Sequence, residues 1–157
     1  MICLKCGGNI WIDSNCDRCG VSYNDMIGSI SHDEMLKLLN RLRNKMQNHE
    51  NTDIEESLLA VELMNSSLLV PTALTEGVFV VMTAFYDEGH EFILAFTDKG
   101  EYERHKNQNY QLLAWPFYAL LELVDKDMGG LAINVGIDGC MLEKEFLMKY
   151  FSDDLKS

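Results

Sequence analysis

The stretch CLKCGGNIWIDSNCDRCG, residues 3–20, holds four of the chain's five cysteines. They form two Cys-x-x-Cys motifs, and a glycine directly follows each motif. A Cys-x-x-Cys turn brings two sulfurs to one cation, and the glycine can take the positive φ that the crowded exit requires. We therefore predict a small zinc ribbon over residues 1–24. Its predicted ligands are Cys3, Cys6, Cys16 and Cys19.

The metal predicted here is structural Zn²⁺, because four thiolates leave no open coordination position for catalysis. So short a segment buries too little apolar surface to fold unaided, and bound zinc would supply the folding free energy, typically ~10–16 kcal/mol. An iron site uses the same four sulfurs, and spacing alone does not separate the two metals. Redox or disulfide use is disfavoured by two motifs so close together. Residues 9–13, between the motifs, predict a strand.

Composition limits the classes of partner. The chain has 157 residues and a net charge of −12, and only two Lys or Arg residues occur in the first 30. Nucleic-acid binding is disfavoured because it depends on Lys and Arg, so the expected partner is a basic protein. No transmembrane run or signal sequence is present, so we expect a cytoplasmic protein without a membrane partner. The sequence does not predict the oligomeric state.

Residues 25–66 are predicted to form a linker and a pair of helices. Residues 21–30 lack periodicity and indicate the linker. Two capping-box patterns, at residues 31–34 and 52–55, predict two helix starts. Apolar residues recur at helical spacing after the first box. We expect two antiparallel helices joined by a short loop.

Residues 67–157 predict an α+β domain with a mixed β-sheet and flanking helices. The predicted order is β-β-β-α-β-α-β-α. Residues 78–85 are apolar at nearly every position, which predicts one strand covered on both faces. The last helix is predicted over residues 141–151. The predicted strands cover residues 68–71, 78–85, 92–96, 110–114 and 131–135.

Residues 67–151 resemble the N-terminal domain of the SseB family, the enhanced serine sensitivity proteins. The similar stretches are SLLVP (67–71), EFILAFTDKGEYERH (91–105), LLAWPFYALLELV (112–124) and GGLAINVG (129–136). The family commonly has proline after the asparagine of the last stretch, where this chain has Val135. The resemblance implies a bacterial α+β domain that is often joined to other modules. It brings no catalytic residues.

Three side chains outside the ribbon are candidates for chemistry. His90 lies beside carboxylates at positions 88 and 91, and His105 lies near those at 101 and 103. Either pair could serve as half of a metal site or as a general base. Cys140 precedes the last predicted helix, whose dipole would lower the pKa of its thiol. Chance proximity on an acidic surface and simple packing explain all three more economically.

Four further positions have both a functional and a structural interpretation. Thr97 and Asn134 lie at predicted strand ends, where α/β sheets bind ligands, but helix capping explains them more simply. Trp11 and Tyr23 could form an aromatic platform for nucleic acid or peptide. We expect them instead to cover the few apolar atoms of a very small fold.

These observations favour a non-enzymatic protein-interaction module whose acidic surface docks on a basic protein. A specialised form would be an immunity or inhibitor protein that covers a basic toxin. Two alternatives stay open: nucleic-acid association through the ribbon, and an enzyme that uses Cys140 or a histidine-carboxylate pair.

Overall fold

The fold is taken from a computed structural model. The structure describes residues 1–87, 89–103, 110–124, 128–134 and 140–152, without the side chains of residues 86 and 87. His105, Glu88 and Val135, which the sequence singled out, lie outside these ranges. The helices are Tyr23–Gly28 (α1), Asp33–Gln47 (α2), Asp53–Met64 (α3), Lys99–Glu103 (α4), Phe117–Leu123 (α5) and Lys144–Phe151 (α6). The strands are Ser67–Thr75 (β1), Val78–Val81 (β2), Thr83–Asp87 (β3), His90–Ala95 (β4), Gln111–Pro116 (β5), Met128–Ile133 (β6) and Cys140–Glu143 (β7).

The described strands form two sheets. The first has the order β2-β1-β5, and all its pairs are antiparallel. The second has the order β3-β4-β6-β7 and is mixed, because β4 and β6 run parallel. A bridge joins the sheets where Leu69 and Phe96 exchange backbone hydrogen bonds of 2.9 and 2.7 Å. The predicted α+β class with a mixed sheet and flanking helices is confirmed.

The helix pair forms, although the capping boxes do not. Helix α2 begins at Asp33, and its N-cap residue His32 makes no capping bond; the Nε2 of His32 instead lies 2.8 Å from the carbonyl oxygen of Ser67. Helix α3 begins one residue after Thr52, as predicted. Glu55, however, forms an ion pair with Lys45 of α2 at 2.6 Å instead of closing the box. That ion pair ties the two helices together.

The prediction of a single covered strand over residues 78–85 is wrong. The chain forms β2 and β3 in different sheets, and the break falls at Met82. The N–H of Met82 donates to Pro71 in one sheet, and its carbonyl accepts from Leu94 in the other. The side chains of β2 are largely exposed. The apolar pattern over residues 78–85 gave no sign that the chain passes from one sheet to the other, because β2 and β3 each have residues that favour strands.

Three local predictions also need correction. Residues 23–28 form helix α1, capped by Ser22, where a linker was predicted. The strand predicted over residues 9–13 is a single bridge at Asn9 followed by a tight turn, in which Asp13 has a φ of 62°. The last helix starts three residues late, because residues 140–143 pair with β6 as strand β7.

The apolar interior has two parts. One packs α2, α3, α5 and α6 against the sheets, and within it Phe117, Leu120, Leu121 and Val124 are fully buried, as the helical stripe predicted. The other part packs the N-terminal segment on the opposite side. Its members include Ile10, Tyr23, Met26, Ile27, Leu69, Phe92 and Phe96. Across the described ranges, the helices are too short or too polar to cross a bilayer.

Candidate metal centre

The four N-terminal cysteines converge on one point. The Sγ atoms of Cys3 and Cys19 lie 3.8 Å apart, those of Cys6 and Cys16 lie 3.4 Å apart, and all four lie within 4.8 Å of one another. Sulfurs at the corners of a tetrahedron with metal–sulfur bonds of about 2.3 Å are separated by about 3.8 Å. A disulfide would need about 2.05 Å, and all four thiols are free. The cluster therefore has the geometry of a four-thiolate metal site.

Each Cys-x-x-Cys motif folds into the same turn, displaced by thirteen residues. The N–H of Cys3 donates to the carbonyl oxygen of Gly8, and the N–H of Cys16 donates to that of Val21, each at a distance of 2.8 Å. The carbonyls of the same two residues accept from Gly7 and Gly20 at 2.9 and 3.1 Å. Both glycines have positive φ, 82° and 77°, as predicted. The repeated turn presents two pairs of sulfurs to one point.

Backbone N–H groups point at the sulfurs of both turns. Gly8 donates to the Sγ of Cys6 at 3.4 Å. Cys19 and Arg18 donate to the Sγ of Cys16 at 3.5 and 3.4 Å. The bond from Cys19, that from Arg18 and the neighbouring thiols lower the pKa of the Cys16 thiol to about 6, against the effect of desolvation. Although the bond from Gly8 acts in the opposite direction, desolvation and the neighbouring thiols raise the pKa of the Cys6 thiol to about 11. Such bonds favour thiolates, which are the form that binds metal.

The segment that carries the cysteine cluster is attached to the sheets by apolar contacts and by hydrogen bonds. Ile10 lies between the two turns and is fully buried. The hydroxyl of Tyr23 donates to the carbonyl of Leu112 on β5 at 2.5 Å, and burial raises the pKa of this phenol to about 12. The N–H of Leu4 lies 3.4 Å from the sulfur of Met26 on α1. The ribbon is thus packed on the domain, a contact that the sequence does not reveal.

The two aromatic candidates of the ribbon behave differently. Tyr23 is buried against the sheet, in line with the structural interpretation. Trp11 is 72% exposed and covers little of the fold, contrary to the expectation. It is displayed by a turn in which the hydroxyl of Ser14 donates to the carbonyl of Trp11 at 2.8 Å.

Thr97 and Asn134 form hydrogen bonds with each other, and neither caps a helix. The Oδ1 of Asn134 accepts from the N–H of Thr97, and the side-chain amide of Asn134 donates to the hydroxyl of Thr97, both at 2.9 Å. Both residues are completely buried. The cap of α4 is Asp98, which accepts from the N–H of Glu101 at 3.0 Å. The pair ties the ends of β4 and β6 together.

The remaining candidates are not brought together as a catalytic group in the part of the chain that the structure describes. Cys140 begins a strand and is buried, and burial raises the pKa of its thiol to about 11. His90 begins β4, whose neighbouring residue Glu91 accepts a hydrogen bond from Thr83 at 2.5 Å. Among the described His, Cys, Asp and Glu residues, the metal-like geometry belongs to the four cysteines.

The family match agrees with this architecture. The SseB protein N-terminal domain matches residues 38–148, well over half of the chain, so the chain belongs to the SseB family. The match begins within α2, and it includes α3 and both sheets. The four cysteines lie outside it. No curated protein and no solved structure shows significant similarity to the chain. The division at residues 24 and 66 stays a prediction.

Proposed function

We propose that the chain is a non-enzymatic interaction module in which structural zinc fixes the ribbon to an SseB-type domain. The observation that carries the proposal is the closed cluster of four thiols. Four thiolates fill a tetrahedral zinc site and leave no position for water or substrate. The turns that surround the cluster connect through Ile10 and Tyr23 to the sheets. Such a centre holds a surface in shape and does not turn over a substrate.

The zinc assignment is tested by metal analysis of the reduced chain purified without chelators. We expect one zinc per chain. Replacement by Co²⁺ should give the intense thiolate-to-cobalt absorption and the visible bands of a tetrahedral sulfur site. One iron per chain would contradict zinc while preserving the four-cysteine site. The Cys16→Ser variant should lose the metal, and the Cys140→Ser variant should keep it.

The partner we propose is a basic protein with an apolar docking face. The chain carries 25 acidic and 13 basic residues. Helix α3 contains four carboxylates and no Lys or Arg; Glu55 is buried against Lys45, and Lys149 of α6 contacts Asp53 and Glu56. The outward side of the helix exposes an apolar stripe. The exposed fractions of Ile54, Leu58 and Val61 in that stripe are 70, 47 and 61%. A stripe of this kind in an acidic surface suits an amphipathic basic segment. An immunity or inhibitor role would be a specialised form of this docking.

Partner capture at increasing salt concentration tests this proposal. Proteins that bind the wild-type chain in native-cell extract are identified by mass spectrometry. The expected partner is basic, is released as salt rises, and binds less to Leu58→Lys than to Met148→Lys. Met148, on α6, is a comparably exposed apolar control. Partners that are not basic and that ignore both salt and Leu58→Lys would contradict the proposal.

Nucleic-acid association is the second candidate, and the exposure of Trp11 is the observation in its favour. Lys5 and Arg18 are also exposed, one on each turn. An exposed tryptophan and two exposed cations on one small segment are the minimal components of a single-strand contact, although the guanidinium of Arg18 also donates to the carbonyl of Cys6 at 3.2 Å. The test is fluorescence anisotropy with labelled oligonucleotides at about 50 mM salt, where electrostatic contacts are strongest. No binding there removes this candidate.

An enzymatic role for Cys140 is the third candidate. The residue borders a cavity of about 610 Å³ that is also lined by Arg43, Met46 and Lys149. The raised pKa keeps its thiol protonated at neutral pH, which weighs against a nucleophile. A thiol-reactive probe should therefore label Cys140 slowly at neutral pH. Rapid labelling with a low apparent pKa would restore this candidate.

A further inference from the structure

Among the strands that the structure describes, β2 is an outer strand without the usual protection against pairing. It lies at one edge of the β2-β1-β5 sheet, and its sequence Val-Phe-Val-Val has no charge and no proline. Val78, Phe79 and Val80 are 62, 50 and 47% exposed. Because successive side chains point to opposite faces, both faces of this strand are apolar. They are exposed at Val78, Phe79 and Val80, whereas Val81 is partly buried against the core. Edge strands of monomers are usually blunted by charges, prolines or bulges.

The direction of the free backbone groups of β2 follows from its turn. Glu76 and Gly77 both have positive φ, 53° and 79°, which defines a two-residue type I′ hairpin. In such a hairpin the residues that flank the turn, here Thr75 and Val78, form a hydrogen-bonded pair. The β1–β2 register then continues without a bulge. Hydrogen-bonded and non-bonded pairs must therefore alternate along β2.

The alternation leaves two residues with their backbone groups directed outward. Val80 therefore occupies a position whose backbone bonds to β1. Met82, two residues further on, occupies another such position, and its N–H donates to the carbonyl of Pro71 at 2.8 Å. Phe79 and Val81 occupy the intervening positions. Their N–H and C=O groups point away from β1, toward the open edge of the sheet. These four groups are what a further antiparallel strand would bond.

The same strand of a second copy meets these requirements. With a two-fold axis at Val80, Phe79 of each copy pairs with Val81 of the other, so all four outward groups on each copy are bonded. Equivalent side chains of the two copies then lie on the same face of the combined sheet. The only charge between residues 67 and 86 is Glu76, at the turn. The two Glu76 carboxylates would lie about 27 Å apart, beyond the screening length of about 8–10 Å.

We propose that two copies of this chain associate through β2 and form a continuous six-stranded sheet. The contact is apolar and backbone-mediated, and the two copies are otherwise strongly acidic. Added salt therefore strengthens this association by screening repulsion. Salt weakens docking of a basic protein, so the two interactions respond in opposite directions. The short strand implies a reversible dimer weaker than that of a standard-size interface.

Sedimentation velocity over a range of protein concentrations, at low and high salt, tests the proposal. We expect a monomer–dimer equilibrium that shifts toward dimer with concentration and with salt. The Val80→Lys variant places two lysines at the axis and should be monomeric. The control with the same added charge at an exposed apolar position, Met148→Lys on α6, should dimerise like the wild type. Circular dichroism establishes that both variants are folded.

Amide hydrogen exchange supplies an independent readout on the wild-type chain. The amides of Phe79 and Val81 should gain protection with concentration, while those of Val78 and Val80, bonded to β1, stay protected throughout. A wild-type chain that remains monomeric at high concentration and high salt would overturn the proposal. A dimer that resists Val80→Lys and leaves the Phe79 amide unprotected would overturn it equally, because association would then use another surface.

Discussion

The N-terminal ribbon and the helix-covered core are stabilised by different interactions. The core around Phe117 buries Leu, Ile and Phe side chains from four helices and both sheets. The ribbon is organised around four thiols and a repeated set of backbone hydrogen bonds, with Ile10 as its fully buried aliphatic residue. Apolar burial is enough for the first region. On our proposal the second needs a bound cation, and it also packs apolar side chains against the sheet.

This difference shows how an appendage becomes part of a domain. Tyr23, Met26 and Ile27 belong to α1, yet they share an apolar cluster with Leu69 and Phe92 of the sheets. Loss of the metal should therefore also destabilise the apolar cluster that α1 shares with the sheets. Loss of core packing should, in turn, leave the intrinsic affinity of the thiols intact. The predictions that follow separate these effects, from the largest to the smallest.

Removal of one metal ligand should have the largest effect. We expect Cys16→Ser to lower the free energy of unfolding by more than about 4 kcal/mol, because it removes both the metal and the structure that the metal holds. Denaturant unfolding with parallel metal analysis measures this loss. Cys140→Ser, at a buried cysteine away from the cluster, is the control. An equal loss of unfolding free energy in the two variants would mean that the metal site does not stabilise the chain more than an ordinary buried cysteine does.

Truncation of the helix-covered core should be next. Phe117 is fully buried and packs edge-to-face on Phe151, with ring centroids 5.0 Å apart. Phe117→Ala should cost about 3–5 kcal/mol without changing the metal content. Tyr118→Ala, at the exposed neighbouring position, should be nearly neutral. Loss of metal from folded Phe117→Ala would show that the two regions are not separable in this way.

The buried polar pair that joins β4 to β6 tests a third kind of interaction. Thr97→Val keeps the shape of the side chain but leaves the amide of Asn134 without its acceptor. We expect a loss of about 1–3 kcal/mol in thermal or denaturant unfolding. Thr97→Ser keeps the hydroxyl and should therefore retain most of the stability that Thr97→Val loses. A Thr97→Val variant as stable as the Ser variant would show that the hydrogen bond is dispensable.

The bond between ribbon and sheet should have the smallest effect. Tyr23→Phe removes the hydroxyl that donates to Leu112 and should cost about 0.5–1.5 kcal/mol. Burial, with a smaller contribution from Asp13, raises the pKa of this phenol to about 12, so the folded state favours its neutral form. That stabilisation is complete below the unfolded pKa of about 10 and disappears as pH rises through 12.

Unfolding at a series of alkaline pH values measures this term as the difference between wild type and Tyr23→Phe. The stability advantage of the wild type should shrink between pH about 10 and 12. A difference that is constant across this range would contradict the assigned pKa.

The sequence predicted the cluster of four cysteines better than it predicted the path of the chain. Cys-x-x-Cys spacing is restrictive, because only a few backbone turns bring two sulfurs to one ion, and both glycines adopt the expected positive φ. The stripe of α5 was predictable for a similar reason, since its spacing of three and four residues is specific to helices.

Other features depend on contacts that no local pattern encodes. The break at Met82 follows from pairing with Pro71 and Leu94, which are distant in sequence or lie in another sheet. Strand β7 exists because residues 140–143 meet β6, although their own sequence suits a helix. Thr97 and Asn134 were considered as ligand-binding or capping positions, but they bond to each other, and that pairing depends on the meeting of two strand ends. The attachment of the ribbon through Tyr23 is of the same kind.

The most direct test of the central claim is hydrogen exchange of the Ile10 amide with metal bound and after its removal. This amide donates to the carbonyl of Met1 at 3.0 Å, and its residue is fully buried between the two turns. With one zinc per chain, we expect strong protection that a chelator abolishes under reducing conditions and that added zinc restores. An Ile10 amide that remains equally protected in the metal-free, reduced chain would contradict the account.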